Sequence, residues 1–232
     1  LYLLALGLFI DKILTELFPD KDPIAVFNGI VLYYLGIEFF MRFFIQNLPT
    51  LNIETYLHLP IKKNSIIHFV AGKSVFAIGN YLSWLVIIPF AFKVIAPAYS
   101  TGMAWLYILA LILLVFSNNF LATYVKRQLV GKPMIVGVFG LVMISLILLD
   151  HFSLISVSSF STYIFAGLLE YPVFVVIPVF LLMFTYLLNY FFLKSRLYPE
   201  EVAVKKQRKV DSISEISYLK TLGLTGQMIS LD

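Results

Sequence analysis

The chain has 232 residues, of which 60% are apolar and only 13% charged, about half the roughly 25% charged residues of a soluble domain. Too few polar residues remain to cover a water-exposed surface, so lipid must cover it, and a soluble globular fold is excluded. The net charge of +4 does not point to nucleic acid, because the basic residues collect at the ends of apolar runs, where membrane topology accounts for them.

The first apolar run, about residues 1–18, ends at Pro19-Asp-Lys-Asp-Pro23. Asp11, Lys12 and Glu16 make its second half amphipathic. The chain begins inside this run, without Met, and stops at Asp232, so it is expected to be a piece of a longer protein. No basic segment precedes the run and no small-residue cleavage site follows it, which argues against a signal peptide. The second run, 24–48, is long enough to cross roughly 30 Å of hydrocarbon. Glu38 and Arg42 share one face near its far end, four residues apart.

A polar break follows at 49–65. Read as a helix, it puts Ile53, Tyr56, Leu57 and Pro60 on one side, with Leu59-Pro-Ile-Lys-Lys63 turning the chain back to the membrane. The bland reading is an interfacial helix with a basic anchor. The functional one is a docking helix for a cytoplasmic partner.

The third run is expected over 66–92, with Lys73 near its start and Pro89 near its end, followed by a loop at 93–102. The fourth run, 103–125, carries Asn118 and Asn119 and leads to a tight basic turn at 126–132. The fifth is 133–149. Residues 150–171 mix Ser and Thr with Phe, Ile and Leu: too polar for a span, too apolar for a free loop. A short interfacial helix or a re-entrant turn packed on protein fits them. The sixth run, 172–193, opens on Pro172, which suits a first helical turn. Pro178 lies further in and is expected to kink it.

These runs predict an all-α bundle of about six spans over residues 1–194, with a solvated cytoplasmic linker at 195–232 expected to lead to a second transmembrane half. Fourteen of the 17 Lys and Arg residues fall on the side of the 49–65 break, the 126–132 turn and the tail. That side is read as cytoplasmic.

Chemistry-bearing residues are sparse. Without Cys there are no disulfides, thiol nucleophiles or thiolate metal sites. His58, His68 and His151 fall at opposite ends of the spans, so they do not make one metal site. No Walker-type phosphate loop is present, and no catalytic residue, metal or cofactor is assigned to this chain. Glu38, Arg42, Asn80, Asn118, Asn119 and Asn189 are costly in lipid, so they should face the bundle or a wet cavity. They could line a translocation path, but interhelical hydrogen bonding with a Glu38–Arg42 pair is favoured, because no chain of buried carboxylates exists for proton coupling.

The segment Tyr56-Leu-His-Leu-Pro-Ile-Lys-Lys-Asn-Ser-Ile-Ile-His-Phe-Val-Ala-Gly-Lys73 resembles the stretch between the second and third spans of type-2 ABC exporter permeases. A closer likeness is to a bacterial branch of permease-like proteins built of two six-helix halves. It extends over Arg42-Phe-Phe-Ile-Gln-Asn-Leu-Pro49, Ser117-Asn-Asn-Phe120 and Leu193-Lys-Ser-Arg-Leu-Tyr198. This resemblance implies a non-catalytic transmembrane subunit in the bacterial cytoplasmic membrane, coupled to a separate ATPase that holds the ATP and magnesium. Ile53, Glu54, Tyr56, Leu57, Leu59, Pro60, Lys62 and Lys63 would then form the coupling helix that docks on the ATPase. The partners implied are that ATPase, a second transmembrane half and the lipid bilayer, with no nucleic acid. A membrane scaffold that keeps the permease fold is the alternative. An ion-coupled carrier or intramembrane enzyme is less favoured, since Asp11, Glu16 and Glu38 are the only carboxylates within spans.

Overall fold

The computed structural model describes residues 2–45, 62–129, 133–152 and 154–195. The chain forms two compact units, 1–190 and 191–232. The described part of the second is the closing turn of the last helix, where the Ser195 hydroxyl donates to the Phe192 carbonyl at 2.8 Å.

The first unit is all-helical among its described residues. The described elements of the chain are α1 (Tyr2–Leu17), α2 (Pro23–Ile45), α3 (Lys63–Val75), α4 (Gly79–Ala98), α5 (Thr101–Gln128), α6 (Pro133–His151), α7 (Val157–Glu170) and α8 (Pro172–Ser195), whose last turn belongs to the second unit. Helices α2, α4, α5 and α8 are each long and apolar enough to cross a membrane. The described part of the expected six-span bundle is thus helical as read, with four such helices identified.

α5 is the post around which the others pack. Ser100 caps its start, accepting from the Met103 N–H at 3.2 Å. Lys126 and Arg127 lie in its last turn, where they favour the negative end of the helix dipole. Ala104, Tyr107, Ile108, Leu111 and Val115 recur at helical spacing and are buried. They pack with Phe27 and Val31 of α2, Phe90 and Ile95 of α4, and Phe165 and Leu169 of α7. The Phe27 and Phe90 rings stack with centroids 3.9 Å apart.

The third expected span differs. It is not one helix over 66–92 but two, α3 and α4, separated at Phe76–Ile78. The Asn80 side-chain amide reaches back to the carbonyls of Ser74 (3.1 Å) and Val75 (2.6 Å). These belong to the last turn of α3, whose carbonyls have no intrahelical partner, so Asn80 makes the break tolerable. α4 then runs to Ala98, so Lys93 and Pro97 lie in helix rather than in a loop. Pro89 has no N–H for the Leu85 carbonyl, and a π-helical turn follows at Ala91–Ile95. Lys93 projects from that turn to bind Asp11 Oδ1 and the Leu8 carbonyl of α1, both at 2.7 Å. The expected basic turn also begins later, since α5 continues through Gln128.

Within residues 150–171, Asp150 and His151 close α6, and Val157–Glu170 form α7, a helix packed on α2. α7 lies against α2 through small and hydroxyl residues, as close helix pairs in membranes do. The Ser161 hydroxyl donates to the Asn28 carbonyl at 2.5 Å and accepts from the Leu32 N–H at 3.3 Å. Thr162 Oγ1 donates to the Ala25 carbonyl at 3.1 Å. A Cβ on Gly29 would come 3.1 Å from Thr162 Oγ1. The Asp150 carboxylate, at the end of α6, accepts from Tyr33 Oη and from the Ser158 N–H at 3.0 Å. Tyr33 lies ten residues into α2, about 15 Å along its axis. The turn from α6 to α7 therefore sits beside the Gly29–Tyr33 stretch of α2, and Thr162 of α7 reaches back to Ala25.

Gly7 marks the closest approach of two helices. A Cβ there would lie 2.5 Å from the Leu85 carbonyl oxygen and 2.8 Å from Val86 Cα, both backbone atoms. Gly7→Val should therefore push α1 off α4 and destabilise the protein by about 1–3 kcal/mol. Gly72→Ala, where nothing lies within 4 Å, should be neutral or stabilise by about 1 kcal/mol. Thermal unfolding of the detergent-purified protein measures both, and equal effects would disprove the contact.

Candidate functional site

Glu38 and Arg42 leave α2 on one face, one helical turn apart, and form an ion pair. Arg42 is buried, with 7% of its side chain exposed, and Glu38 is nearly so, with 10%. A buried guanidinium is tolerable only if its donors are matched, and the surrounding helices supply the matches. Arg42 Nη1 donates to Asn80 Oδ1 of α4 at 2.5 Å and to Asn119 Oδ1 of α5 at 3.4 Å. Arg42 Nη2 donates to Glu38 and, at 3.4 Å, to the Gly79 carbonyl.

The two asparagines on α5 do different work because neighbouring helical residues face directions about 100° apart. Asn118 turns to α2 and donates to Glu38 Oε2 and the Leu35 carbonyl, both at 3.0 Å. Asn119 turns to the end of α3 and donates to Ser74 Oγ at 3.2 Å and the Ser74 carbonyl at 3.3 Å. Glu38, Arg42, Asn80, Asn118 and Asn119 thus converge in one cluster. Ser74 and the Gly79 carbonyl complete it. Sequence reasoning misses both, although Gly79-Asn80 inside an apolar run is a break signal.

The other sequence candidates lie elsewhere. Asn189 of α8 joins α5 instead, donating to the Phe120 carbonyl at 2.5 Å and accepting from Thr123 Oγ1 and Arg127 Nη1, both at 3.3 Å. His68 of α3 is hydrogen-bonded to Tyr186 Oη and stacks on Tyr190 with ring centroids 5.3 Å apart. Lys62 is exposed just before α3, and Lys63 is the first residue of that helix. Ile53, Glu54, Tyr56, Leu57, Leu59 and Pro60, like His58, fall outside the described residues.

Chemically, the cluster neutralises its own charge. Glu38 is the one carboxylate among its hydrogen-bonded members, and Arg42 and Asn118 hold it. One donor remains over: Arg42 Nε is buried and has no hydrogen-bond partner among the described residues. Arg42 and Glu38 also line a cleft of about 470 Å³ together with Tyr34, Ile37 and Met41. A deeper apolar cavity of about 410 Å³ lies between α1, α2, α4 and α5. Tyr34 and Leu82 line both spaces. Tyr34 Oη is hydrogen-bonded to Ser83 Oγ at the wall of the deeper one.

Removing one partner of a buried pair costs more than removing both. Glu38→Ala, which leaves Arg42 uncompensated, should lower stability by about 3–5 kcal/mol. Adding Arg42→Met should restore most of that loss. Urea or thermal unfolding of the wild type, the two single variants and the double variant reads this out; additive single-mutant effects would contradict the pairing.

No curated protein and no solved structure matches the chain. A family model matches residues 1–232, the whole length. The chain therefore belongs to the family described as "Family of unknown function (DUF5687)".

Proposed function

We propose that this chain is a transmembrane half of an exporter of the type-2 ABC class, moved by a separate cytoplasmic ATPase. In this reading the six spans are α1, α2, α4, α5, α6 and α8, and α3 leads into α4 from the cytoplasmic side. The observation that carries the reading is the place of α7. It is a short helix between the fifth and sixth apolar helices that packs on the Ala25–Tyr33 stretch of α2, within that apolar helix rather than beyond its end. The exporter class to which the sequence shows its likeness has outer re-entrant helices at that point in the chain order. A purely connecting loop would need neither the depth nor the hydroxyl contacts to α2.

The charge distribution supports the same orientation. With α7 outside, the 49–65 segment and the 126–132 stretch fall on the side holding most of the Lys and Arg. The 49–65 segment would then be the coupling helix. Its apolar residues would sit in a groove of the ATPase, with Lys62 and Lys63 at its rim.

Tyr56→Asp, Leu57→Asp and Leu59→Asp together should reduce co-purification of the full-length protein with its ATPase at least tenfold. Two or three buried side chains at an interface centre contribute on that scale. Unchanged association would rule out residues 51–63 as the dock. Association without stimulation of ATP hydrolysis in proteoliposomes would favour a membrane scaffold over an exporter.

A further inference from the structure

α3 lies across the bundle rather than along it. Near its end, Ser74 accepts from Asn119 of α5. Nearer its start, His68 is hydrogen-bonded to Tyr186 of α8, whose ring meets that of Phe120 on α5 with centroids 5.5 Å apart. Ser74 and His68 stand about 9 Å apart along α3, yet both reach the level of residues 119 and 120 of α5. A helix running alongside α5 would instead have moved several residues along it. That level is the edge of the spans. Asn119 lies about 27 Å from the start of α5 and Arg42 about 28 Å from the start of α2, against roughly 30 Å of hydrocarbon. Lys126 and Arg127 follow two turns further along α5.

A helix at that edge has one side on the bundle and one side away from it. Ile66, Ile67, Val70, Ala71 and Ser74 are buried and form the inner side. Phe69 and Phe76 stand two turns apart, so they share the outer side, and they are 57% and 77% exposed. Lys73 is exposed between them, and Ile78, in the break before α4, is 79% exposed. The charge on this edge is one-sided. α3 carries Lys63 and Lys73 and follows Lys62, and the near end of α5 adds Lys126 and Arg127. The one carboxylate in α3 and in the neighbouring ends of α2, α4 and α5 is Glu38, which is already paired with Arg42. Exposed aromatic rings with lysine beside them, on a helix crossing the edge of the hydrocarbon, suit the boundary between acyl chains and anionic headgroups.

We propose that the outer side of α3 binds the surface of an anionic membrane leaflet. Phe69, Phe76 and Ile78 enter the boundary between headgroups and acyl chains, and Lys73 holds the headgroup charge. The inference rests on how α3 crosses α5 and α8, and it stands whether or not an ATPase drives the protein.

The test uses the full-length protein, without ATPase or ATP, in nanodiscs of equimolar phosphatidylcholine and phosphatidylglycerol. A nitroxide attached at Phe69→Cys or at Phe76→Cys should be several-fold more accessible to oxygen, which concentrates in the bilayer, than to a water-soluble nickel chelate. The reverse order at either position would put this face in water, as a docking surface for a soluble protein would be, and would overturn the anchor. A nitroxide reached by neither reagent would mean that protein covers the face, which would overturn it as well. The charge is read separately. With the same photoreactive group on each headgroup, phosphatidylglycerol should label the Phe69–Ile78 stretch at least about fivefold more than phosphatidylcholine, the effect of one lysine at an anionic surface. Lys73→Gln, at an exposed position, should cut that preference about fivefold. Equal labelling of the wild-type protein by the two lipids, or an unchanged preference in Lys73→Gln, would overturn the headgroup assignment.

Discussion

A single buried guanidinium constrains half of this bundle. A guanidinium is costly to leave unmatched in a medium without water. Its matches must come from protein, and they come from three places in the chain: Gly79 and Asn80 at the start of α4, Asn119 on α5, and Glu38 one turn back on α2. Each partner is then held by something else. Asn80 is fixed by the last carbonyls of α3, Asn119 by Ser74, and Glu38 by Asn118. The break between α3 and α4 is what puts Asn80 within reach.

Elsewhere the bundle uses smaller polar groups for the same end. Lipid offers no hydrophobic drive for helices to associate, so close backbones and hydrogen bonds must hold them. Between α2 and α7 that role falls to Gly29, Ser161 and Thr162, whose hydroxyls take carbonyls of α2 that already serve its helix. Between α5 and α8 it falls to Ser117 with Thr185, 3.2 Å apart, and to Asn189. Between α1 and α4 it falls to Gly7, which passes over the carbonyl that Pro89 leaves without an N–H donor. Tyr107 closes the set by donating to Asn28 Oδ1 at 2.7 Å in the apolar core.

The apolar helices and the polar cluster are legible in the sequence for one reason. In a chain with 13% charged residues, each charge or amide inside an apolar run needs a partner, so Glu38, Arg42, Asn80, Asn118 and Asn119 stand out by cost alone. What hydropathy does not say is which of them meet. That depends on how α5 is rotated about its axis, and Asn189 is equally eligible yet joins a different set. The break at Phe76–Ile78 is hidden for a related reason. Phe76 and Ile78 are as apolar as a span requires, and the information that stops the helix lies in Asn80, whose amide competes for the backbone carbonyls behind it. Lys93 reads as a loop residue because a charge usually ends a span; here the π turn after Pro89 aims it at Asp11 on α1. The depth of Asp150 is likewise invisible in the sequence, since only the contact with Tyr33 fixes it.

These constraints bear on how force from a partner would be felt. The 49–65 segment leaves from α2 and enters α3. Both helices end in the Arg42 cluster: α2 through Glu38 and Arg42, α3 through Ser74 and Val75. The same cluster holds the start of α4 and the middle of α5. A push on the segment therefore meets a charge-assisted, buried network, which resists distortion more than apolar side chains that can slide. The displacement would pass to the four helices as one body. The softer contacts lie beyond it, at the α4 π turn and along the cavity between α1, α2, α4 and α5, where side chains of the lining leave about 410 Å³ unfilled. Movement would be taken up there, and the polar cluster would act as the rigid end of a lever rather than as the path itself.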